Sequence, residues 1–387
     1  MTESSKPVYL DNAATSFPKP ESVYEAVIKM MREECGNPGR SGHRLSLAAG
    51  RSVNEARVLC ARLFNAQSPE NIVFTPNTTA ALNIAIKGIL EPGDHVITSS
   101  LEHNSVSRPL ACLERSGVKV TKLPTDLLRG LSAGDIEKAV RPDTKLVVCT
   151  HISNVTGTIN DIASIGAFCG SKGILFLVDA AQSAGSRSID AQKTRVDMLA
   201  FPGHKGLLGP QGTGGLYIRP ELQLKTIIQG GTGSESESLS QPETMPDKFE
   251  SGTLNTPGLA GLAAGIRFIM EEGIEKIERT EAGLTKRLIE GINAICGIRL
   301  IGPGLEQDRG NVVSVCLEKT SPAAAALMMD TAFQIAVRSG IHCASDAHRS
   351  AGTLENGGAL RISPNYFNTP GDIDICLEAL EYCAGGI

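Results

Sequence analysis

A lysine in a glycine-rich segment is the first side chain of this sequence that could carry covalent chemistry. Lys205 lies in the run Phe201-Pro202-Gly203-His204-Lys205-Gly206, directly after the apolar stretch Met198–Phe201. An amine held among apolar groups and beside His204 loses its proton more easily, because burial disfavours the charged form. The neutral amine is the form that bonds covalently to a carbonyl compound. A lysine in a loop is otherwise most often solvated, so Lys205 alone defines no site.

A carboxylate follows a second apolar stretch. Asp179 comes directly after Ile174–Val178 and precedes Ala180-Ala181-Gln182. A buried carboxylate needs a cationic partner. The pyridinium nitrogen of pyridoxal phosphate is such a partner, and the carboxylate that keeps it protonated lets the ring accept electrons from a substrate's Cα. Gln182 could donate to the ring's phenolic oxygen. The alternative is that Asp179 only caps the next helix.

A hydroxyl-rich segment, Thr75-Pro76-Asn77-Thr78-Thr79, joins a predicted strand to a predicted helix. Helix N-termini carry unpaired N–H groups and the positive end of the helix dipole, so Thr78 and Thr79 are candidate phosphate ligands. The signal is weak alone, because Ser, Thr and Asn cap many helices. The sequence has no G-x-G-x-x-G or Walker A pattern, which disfavours a dinucleotide or ATP site.

The elements around these motifs indicate an α/β fold. Apolar runs of strand length alternate with amphipathic runs of helix length, as in a mainly parallel sheet covered by helices. Ligands of such sheets bind at the carboxyl ends of the strands, where all three motifs lie. The predicted strands are Ile72–Thr75, His95–Ser99, Val118–Leu123, Lys145–Thr150, Ile174–Asp179, Met198–Phe201 and Gly215–Ile218, and the predicted helices between them are Thr79–Ile89, Ser105–Ser116, Gly134–Val140 and Asp161–Ser171.

The length of 387 residues exceeds what one hydrophobic core usually supports, which predicts a larger and a smaller domain. We expect a large cofactor-binding domain over residues 21–257. A smaller α+β domain would comprise residues 1–20 and 258–387, with long helices at Gly258–Glu272 and Ile274–Ala294. The later elements are predicted at Val312–Leu317, Ala323–Ala336, Leu360–Ile362 and Gly371–Tyr382, and the polar stretch Gly230–Met245 is predicted to be a loop.

Composition excludes several function classes. A formal charge of -5 and a pI near 5.9 give no basic stripe for a nucleic-acid backbone. No apolar run approaches the ~20 residues that span a bilayer, and the N-terminus is polar, so a cytoplasmic protein without a membrane partner is expected. The ten cysteines include no C-x-x-C pair. Neither a disulfide framework nor a metal site is therefore predicted.

One cysteine lies in a different setting from the rest. Cysteines such as Cys60 and Cys149 fall in apolar runs, where a thiol behaves as a small hydrophobe. Cys343 instead lies in a loop-like segment with Arg338 and His342 within five residues. Nearby cations favour the thiolate, which is the nucleophilic form. From the residues alone, a structural role remains the alternative.

In their order along the chain, these motifs resemble the class V aminotransferases of fold type I, the pyridoxal-phosphate transferase fold, and within them the cysteine desulfurases and selenocysteine lyases. The resemblance spans nearly the whole chain and implies a large domain with a mainly parallel seven-stranded sheet. Its landmarks are Tyr9–Thr15, Gly39-Arg40-Ser41-Gly42-His43, Thr75–Thr79, Glu102-His103-Asn104, His151–Asn154, Asp179–Gln182, Gly203-His204-Lys205, Phe249–Thr253 and Val337–Cys343.

The resemblance also implies roles for single residues. Lys205 would bond covalently to pyridoxal 5'-phosphate, Asp179 would pair with the ring nitrogen, and His103 would stack on the ring and assist proton transfer. The other cofactor contacts would come from Asn154 and Gln182 at the polar edge of the ring, from Thr78, Thr79 and His204 at the phosphate, and from Thr253 at the phosphate of a neighbouring subunit. That last contact implies a homodimer with shared active sites.

Substrate groups follow from the same resemblance. Arg361 would bind the α-carboxylate of the substrate in a bidentate fork. Further candidates for the substrate side are Arg338, Asn12 and Ala13. His43 and His342 are candidates that both rank below His103, and a packed histidine is the alternative for each. His348 is expected to be a solvated loop residue.

The implied reaction takes sulfur from L-cysteine, or selenium from L-selenocysteine. Cys343 would attack the chalcogen, which leaves alanine and a persulfide that an acceptor protein or thiol then receives. The short spacing between Cys343 and Arg361 resembles the group II desulfurases, whose catalytic loop is compact. Another class V reaction that needs no cysteine, such as transamination, is the nearest alternative, and a non-catalytic sulfur-handling scaffold is a more distant one.

One position departs from the family pattern. The family usually has Ser or Thr three residues before the lysine, as a further phosphate donor, whereas this chain has Pro202. Proline has neither a hydroxyl nor an N–H. We therefore expect one hydrogen bond fewer to the phosphate.

Overall fold

The computed structural model describes residues 7–39 and 41–385. Arg40 of the predicted glycine-rich landmark and residues 1–6 and 386–387 of the predicted small domain lie outside the described residues. The strands are β1 (Val8–Tyr9), β2 (Ile72–Thr75), β3 (His95–Ser99), β4 (Lys119–Leu123), β5 (Thr144–Thr150), β6 (Leu175–Asp179), β7 (Met198–Pro202), β8 (Gly214–Ile218), β9 (Ile298–Ile301), β10 (Val313–Leu317), β11 (Ile335–Ala336), β12 (Arg338–Gly340) and β13 (Ala359–Ile362).

Helices connect and cover these strands. They are α1 (Glu21–Glu33), α2 (Arg44–Leu63), α3 (Thr78–Ile89), α4 (Asn104–Glu114), α5 (Ala133–Glu137), α6 (Ile162–Lys172), α7 (Thr256–Glu272), α8 (Ile274–Ala294), α9 (Pro322–Phe333), α10 (Ser345–Ser350) and α11 (Pro370–Gly385). In the part of the chain that the structure describes, no helix combines the length and the apolar character needed to cross a bilayer.

A seven-stranded sheet in the order β2-β8-β7-β6-β5-β3-β4 confirms the predicted fold class. The strands from β7 to β4 are parallel, and β8 is antiparallel to both β7 and β2. Because β2 and β7 both oppose β8, they point the same way. Gly214 pairs with Thr75 on one side and with Pro202 on the other, so the carboxyl ends of β2 and β7 meet at one edge.

Apolar packing on both faces explains why this sheet is mainly parallel, since parallel sheets are normally covered on both sides. Most strand residues are buried, including every residue of β2, β3, β7 and β8. Residues of α2, α6 and α7, such as Cys60, Ile165 and Leu262, pack in one core cluster with the sheet. Leu82 of α3 and Leu110 of α4 belong to a second cluster.

The C-terminal part forms a second, four-stranded antiparallel sheet in the order β12-β13-β10-β9. A separate core cluster that includes Leu288, Met329 and Leu380 lies between this sheet and helices α8, α9 and α11. The N-terminal strand β1 pairs in parallel with β11. This pairing agrees with grouping the N-terminus with the C-terminal elements, while the domain boundaries at residues 20 and 257 stay a prediction.

Most predicted elements are present with ends that differ by one or two residues, and the differences have local causes. The predicted helix Gly134–Val140 covers only Ala133–Glu137. The segment Ala323–Ala336 is helical to Phe333, because Gln334 adopts a left-handed conformation (φ +57°) and the chain continues into β11. The predicted loop Gly230–Met245 contains no helix or strand. In α2 the sequence predicted only the helical run Ala56–Phe64, and the prediction omitted β1, α1, β9, β12 and α10.

A buried ion pair fixes the segment that leads into α7. Arg57 of α2 donates from Nη1 and Nη2 to the two carboxylate oxygens of Glu250, at 2.8 Å each. Glu250 also accepts the backbone N–H of Phe74 at 2.6 Å, and Arg57 donates to the carbonyl of Ile72. Both side chains are less than a tenth exposed. This pair therefore joins α2 and β2 to the segment that carries Thr253.

Loss of one partner of this pair should be far more costly than loss of both. Glu250→Ala leaves the Arg57 guanidinium buried without its carboxylate, which we expect to lower the free energy of unfolding by about 3–5 kcal/mol. The double variant Arg57→Met, Glu250→Leu removes both charges and should recover part of that loss. Urea denaturation followed by circular dichroism measures both. A double variant less stable than Glu250→Ala would contradict the assignment of a desolvated pair.

Candidate active site

A cavity of about 230 Å³ lies at the carboxyl edge of the seven-stranded sheet. It brings together most of the side chains that the sequence predicts: Ala13, Thr78, Thr79, His103, Asn154, Asp179, Gln182, His204, Lys205, Arg338 and Arg361. Ala14, Asn77, Ser105, Thr150, Ala181 and His342 complete the wall. The larger sheet and the smaller sheet therefore both contribute to one site.

Close backbone packing fixes the loop of Lys205. A Cβ at Gly203 would lie 2.1 Å from the hydroxyl oxygen of Thr213, and one at Gly206 would lie 2.4 Å from the carbonyl of Ala184. Ser16 also donates to the carbonyl of Lys205 at 2.9 Å. Only glycine fits at positions 203 and 206 without moving their neighbours, so these glycines determine where the lysine emerges.

The surroundings of Lys205 favour the neutral form of its amine. Burial lowers its pKa to about 8, and the positive charge of Arg361 acts in the same direction. Asp179 opposes the shift only in part. A substantial fraction of the amine is therefore neutral near pH 8, as covalent capture of a carbonyl compound requires.

Asp179 ends β6 and is 2% exposed. Burial raises its pKa to about 6, and the N–H of Ala181, which donates to Oδ1 at 2.9 Å, counteracts that effect. Among the described residues no Lys or Arg forms an ion pair with this carboxylate. A buried carboxylate in a cavity wall without a cationic partner fits a ligand that brings its own N–H⁺.

The N-terminus of α3 provides an anion-binding end to the cavity. Asn77 caps the helix by accepting the N–H of Ala80 at 2.9 Å. The N–H groups of Thr78 and Thr79 begin the helix and have no carbonyl within it to donate to. His204 faces the same cavity with a buried Nδ1 that has no hydrogen-bond partner in the described structure. These groups suit a phosphate, whereas Pro202 is buried at the end of β7 and is not part of the wall.

His103 is held as a neutral imidazole of one tautomer. Its Nδ1 accepts the backbone N–H of Ser105 at 3.1 Å, at the start of α4. Burial lowers its pKa to about 4, and the charges of Lys205 and Arg338 contribute. Because Nδ1 is the acceptor, the single ring proton is on Nε2. His103 therefore presents a fixed donor.

Asn154 and Gln182 line the cavity, but part of each amide is already engaged. Gln182 donates from Nε2 to the carbonyl of Ala13 at 3.1 Å. Asn154 donates from Nδ2 to the carbonyl of His342 at 2.7 Å. Each amide keeps its oxygen and a second N–H for a ligand.

Two guanidinium groups enter the cavity from the smaller sheet. Arg361 of β13 is 1% exposed and donates to Asp11 Oδ1 at 2.8 Å and to the carbonyl of Asn154 at 3.2 Å. Its Nε is buried without a partner. Arg338 of β12 has no carboxylate partner among the described residues. One anchored and one unpaired guanidinium are suited to hold a carboxylate.

Cys343 is exposed and lies next to the cavity, not in its wall. The preceding residue, His342, is 3% exposed and does line the cavity. Both residues have a left-handed backbone, with φ of +51° and +56°. Such conformations cost about 1–3 kcal/mol each in residues other than glycine. The thiol is thus presented at the rim of the cavity on a strained turn.

Three further predicted residues lie outside this cavity. Asn12 is buried behind Ala13, where its Nδ2 donates to the carbonyl of Ser363 at 2.9 Å. His43 is exposed and caps α2 by accepting the N–H of Ser46. Thr253 is exposed, and its hydroxyl accepts from Asn37 at 3.5 Å. Their roles in the site stay predictions.

The expectation for His348 was wrong, because this side chain is fully buried in α10. Sequence reasoning also assigned no role to Asp11, the partner of Arg361. The available signal was that Asp11 directly precedes two predicted substrate-side residues, Asn12 and Ala13. Asn77 could have been assigned from its position before the apolar run of α3, as a helix cap.

These residues fit pyridoxal phosphate. The carboxylate of Asp179, the N-terminus of α3 with His204, and the amine of Lys205 offer one group each to the ring nitrogen, the phosphate and the aldehyde. The buried Nδ1 of His204 and the unpaired carboxylate of Asp179 are groups whose burial without a ligand is unfavourable.

Comparisons with known proteins agree with this geometry. The family model "Aminotransferase class-V" matches residues 8–376. A protein named "Probable cysteine desulfurase" from Methanothermobacter thermautotrophicus is 39% identical over 383 residues, which cover 98% of this chain and 95% of that protein. The apo structure of a cysteine desulfurase from Thermococcus onnurineus is 35% identical, covers 98% of this chain and 95% of its own, and superposes with a TM-score of 0.92.

The lowered pKa of Lys205 gives a pH dependence that can be measured. Only the neutral amine attacks an aldehyde, so the rate at which cofactor-free protein captures pyridoxal phosphate should rise with pH through about 8 and then level off. Stopped-flow absorbance records this rate. Lys205→Ala should abolish it, while replacement of the exposed Lys193 by Ala should leave it unchanged. A rate that still rises steeply between about pH 9 and 10 would indicate an ordinary lysine, whose pKa is about 10.4.

Proposed function

Because the chain belongs to the aminotransferase class-V family, we propose that it is a pyridoxal phosphate-dependent cysteine desulfurase that converts L-cysteine to L-alanine and carries the sulfur on Cys343. One observation supports this most strongly: Lys205 and Asp179 face a single cavity whose wall includes His342, the residue next to an exposed thiol. Each of the two side chains lies at or just after the carboxyl end of a buried strand of the same sheet.

When bound, pyridoxal phosphate supplies an electron-accepting ring that stabilises negative charge at the substrate's Cα. Asp179 would pair with the ring nitrogen, and the first N–H groups of α3, together with the Thr78 hydroxyl and His204, would hold the phosphate. The Thr79 hydroxyl already makes a 2.7 Å hydrogen bond with the Ser105 hydroxyl. Gln182 and Asn154 would offer their remaining amide N–H groups to the phenolic oxygen at the edge of the ring.

Lys205 is the residue that would move protons at the substrate's Cα. Its free amine has a pKa near 8 and would accept and return a proton close to neutral pH. His103 would assist from the other side of the cavity with its Nε2 proton. Burial keeps both groups out of bulk water.

Arg361 and Arg338 would bind the substrate's α-carboxylate. Asp11 and the Asn154 carbonyl hold the guanidinium of Arg361 in place, and its Nε has no hydrogen-bond partner among the described residues. Arg338 forms no ion pair among the described residues, so its guanidinium would be free to bind the carboxylate.

Cys343 would take the sulfur as a thiolate. Its Sγ forms a bond to the substrate's Sγ, and the substrate's Cβ–Sγ bond breaks with its electron pair on the carbon side. The carbon gains a proton and leaves as alanine, so the enzyme keeps a persulfide without any external oxidant. A thiol or an acceptor protein then receives that sulfur at the exposed position of Cys343.

Homodimerisation belongs to the same proposal. Thr253 is exposed and lies outside the cavity of its own chain, while the Arg57–Glu250 pair holds the segment that carries it. That arrangement suits a residue that completes the phosphate site of a second copy. The division into domains at residues 20 and 257, the contribution of His43 and the cytoplasmic location stay predictions.

The assignment of Cys343 can be tested by product analysis. Wild-type protein loaded with pyridoxal phosphate should release alanine and sulfide in equal amounts from L-cysteine with a thiol present, and Cys343→Ala should lose at least about a hundredfold in rate, because the nucleophile is absent. Cys112, exposed on α4, is the matched control, and Cys112→Ala should retain full activity.

L-selenocysteine is measured side by side with L-cysteine, since the two substrates differ in one atom. Undiminished turnover of both by Cys343→Ala would instead favour a class V reaction that uses no cysteine nucleophile. Release of a keto acid in place of alanine would indicate transamination.

The carboxylate-binding role of Arg361 predicts a change in KM. Arg361→Lys keeps a positive charge but loses the forked donors, and a hydrogen bond to a charged group contributes about 1.5–3 kcal/mol, so KM for L-cysteine should rise about 10- to 150-fold. The shift should also appear in the Kd for L-alanine, which measures binding without turnover. An unchanged Kd would assign the carboxylate to Arg338 alone.

A further inference from the structure

A chain of three buried side chains lies behind the turn of Cys343, and the proposed reaction does not use it. The Nδ1 atom of His342 is 3.1 Å from Nε2 of His348, and Nδ1 of His348 is 2.7 Å from the hydroxyl oxygen of Thr353. His348 and Thr353 are fully buried, and His342 is 3% exposed. At the other end, Nε2 of His342 is 3.4 Å from the carbonyl of Arg338.

The carbonyl of Arg338 sets the direction of the hydrogen bonds in this chain. It can only accept, so it is best matched by a proton on Nε2 of His342. Nδ1 of His342 then accepts from Nε2–H of His348, and Nδ1 of His348 accepts from the hydroxyl of Thr353, which also lies 3.3 Å from the carbonyl of His348. In this arrangement each donor meets an acceptor, and both imidazoles are neutral.

The charges around the chain support the neutral form. Arg361 and Arg338 face His342, and Arg361 also faces His348. Burial and these guanidinium groups lower the pKa of both histidines, that of His348 to about 4. The acidic residue of α10, Asp346, is paired with Lys122 and Arg349 at the surface. The chain therefore stays neutral throughout the physiological range.

This chain holds the turn that presents the thiol. His342 and Cys343 both have a left-handed backbone conformation. Residues other than glycine adopt it only where their surroundings enforce it. The carbonyl of His342 accepts from Asn154, and that of Cys343 accepts the N–H of Asn104 at 2.7 Å. Those bonds fix the two carbonyls, while His348 fixes the ring of His342.

We propose that His348 and Thr353 are positioning residues for Cys343, which act through the ring of His342 to hold the strained turn and so direct the thiol towards the substrate's sulfur. This rests on the proposed function only in taking Cys343 as the nucleophile. The residues touch neither substrate nor cofactor, and the chain ends in a buried hydroxyl, so it orients the turn and does not conduct protons to solvent.

Two arms test the proposal, and the first needs neither cofactor nor substrate. Backbone hydrogen exchange is measured by mass spectrometry on the full chain for His348→Leu. Exchange of the amides of Asn104 and Ala344, which form hydrogen bonds around the turn, should rise about tenfold, as expected from losing one or two hydrogen bonds. Exchange in β5 should not change.

The second arm separates the step of Cys343 from the step of Lys205. In the loaded enzyme, His348→Leu should slow alanine release about 10- to 100-fold, because misplacing a reacting atom by ~1 Å costs up to about 100-fold. Exchange of the substrate's Cα hydrogen with solvent, which is followed by NMR, should stay within about twofold, because that exchange needs no thiol. A merely structural loss would lower both rates together.

Conservative variants distinguish the two contacts of His348. The amide nitrogen of His348→Gln can occupy the position of Nε2 and keep the donor to His342, whereas His348→Asn keeps a polar group only near Thr353. His348→Gln should therefore restore most of the alanine rate and His348→Asn should not. Equal behaviour of the two variants would overturn the proposal.

Unchanged exchange of the Asn104 and Ala344 amides in His348→Leu would also overturn the proposal. This holds even if the wild-type enzyme releases alanine as proposed. If His348→Leu raises exchange throughout the protein, Thr353→Val takes its place in both arms. Thr353→Val removes a single hydroxyl and keeps nearly the same side-chain shape. The same changes of smaller size are then expected, and their absence sinks the proposal. Failure of the wild type to release alanine would instead reject the proposed function.

Discussion

The antiparallel pairing of β8 between β2 and β7 is the constraint on which the site depends. It makes β2 and β7 parallel and aligns Thr75 with Pro202 across Gly214. The cap of α3 therefore begins beside the loop of Lys205, at the edge where β6 ends in Asp179. A shift of that register by one residue would invert every side chain of β2 and separate the anion-binding helix end from the amine. The order and register of the strands therefore decide whether the functional side chains lie close together.

Burial is the second requirement, because it sets the protonation state of almost every group in the cavity. It raises the pKa of Asp179, lowers that of Lys205 and keeps His103 neutral. At pH 7 the carboxyl of Asp179 is still mainly ionised and the amine of Lys205 is still mainly protonated, but both groups exchange their proton much closer to neutral pH than the same groups do in water. The cavity therefore holds an amine and a carboxyl group whose protonation a charged ligand can readily change, beside a neutral imidazole.

The sequence predicted the α/β class and the groups at the ends of strands, because apolar runs followed by Asp179 or Lys205 give a local signal. It did not predict contacts between distant segments. Asp11 pairs with Arg361 across 350 positions, and the chain of His348 becomes visible only when α10 folds against the cavity. His348 looked solvated because its neighbours are polar, whereas Ala344 and Ala347 pack inwards beside it. Thr253 and His43 lie outside the cavity of this chain, and no local pattern could have established their partners.

The division of labour between the two sheets explains how one site can both retain a cofactor and release sulfur. The groups that fit the cofactor come from the larger sheet and its connections, and most residues of its strands are buried. Arg338, Arg361 and the turn of Cys343 come from β12, β13 and the connection between them in the smaller sheet. Asn154 joins the two parts, since its amide donates to His342 and its carbonyl accepts from Arg361. A nucleophile on a flexible loop would need a closing motion before attack. In the proposed reaction, a strained turn held by buried side chains would instead keep Cys343 exposed to an acceptor while His342 remains in the cavity wall.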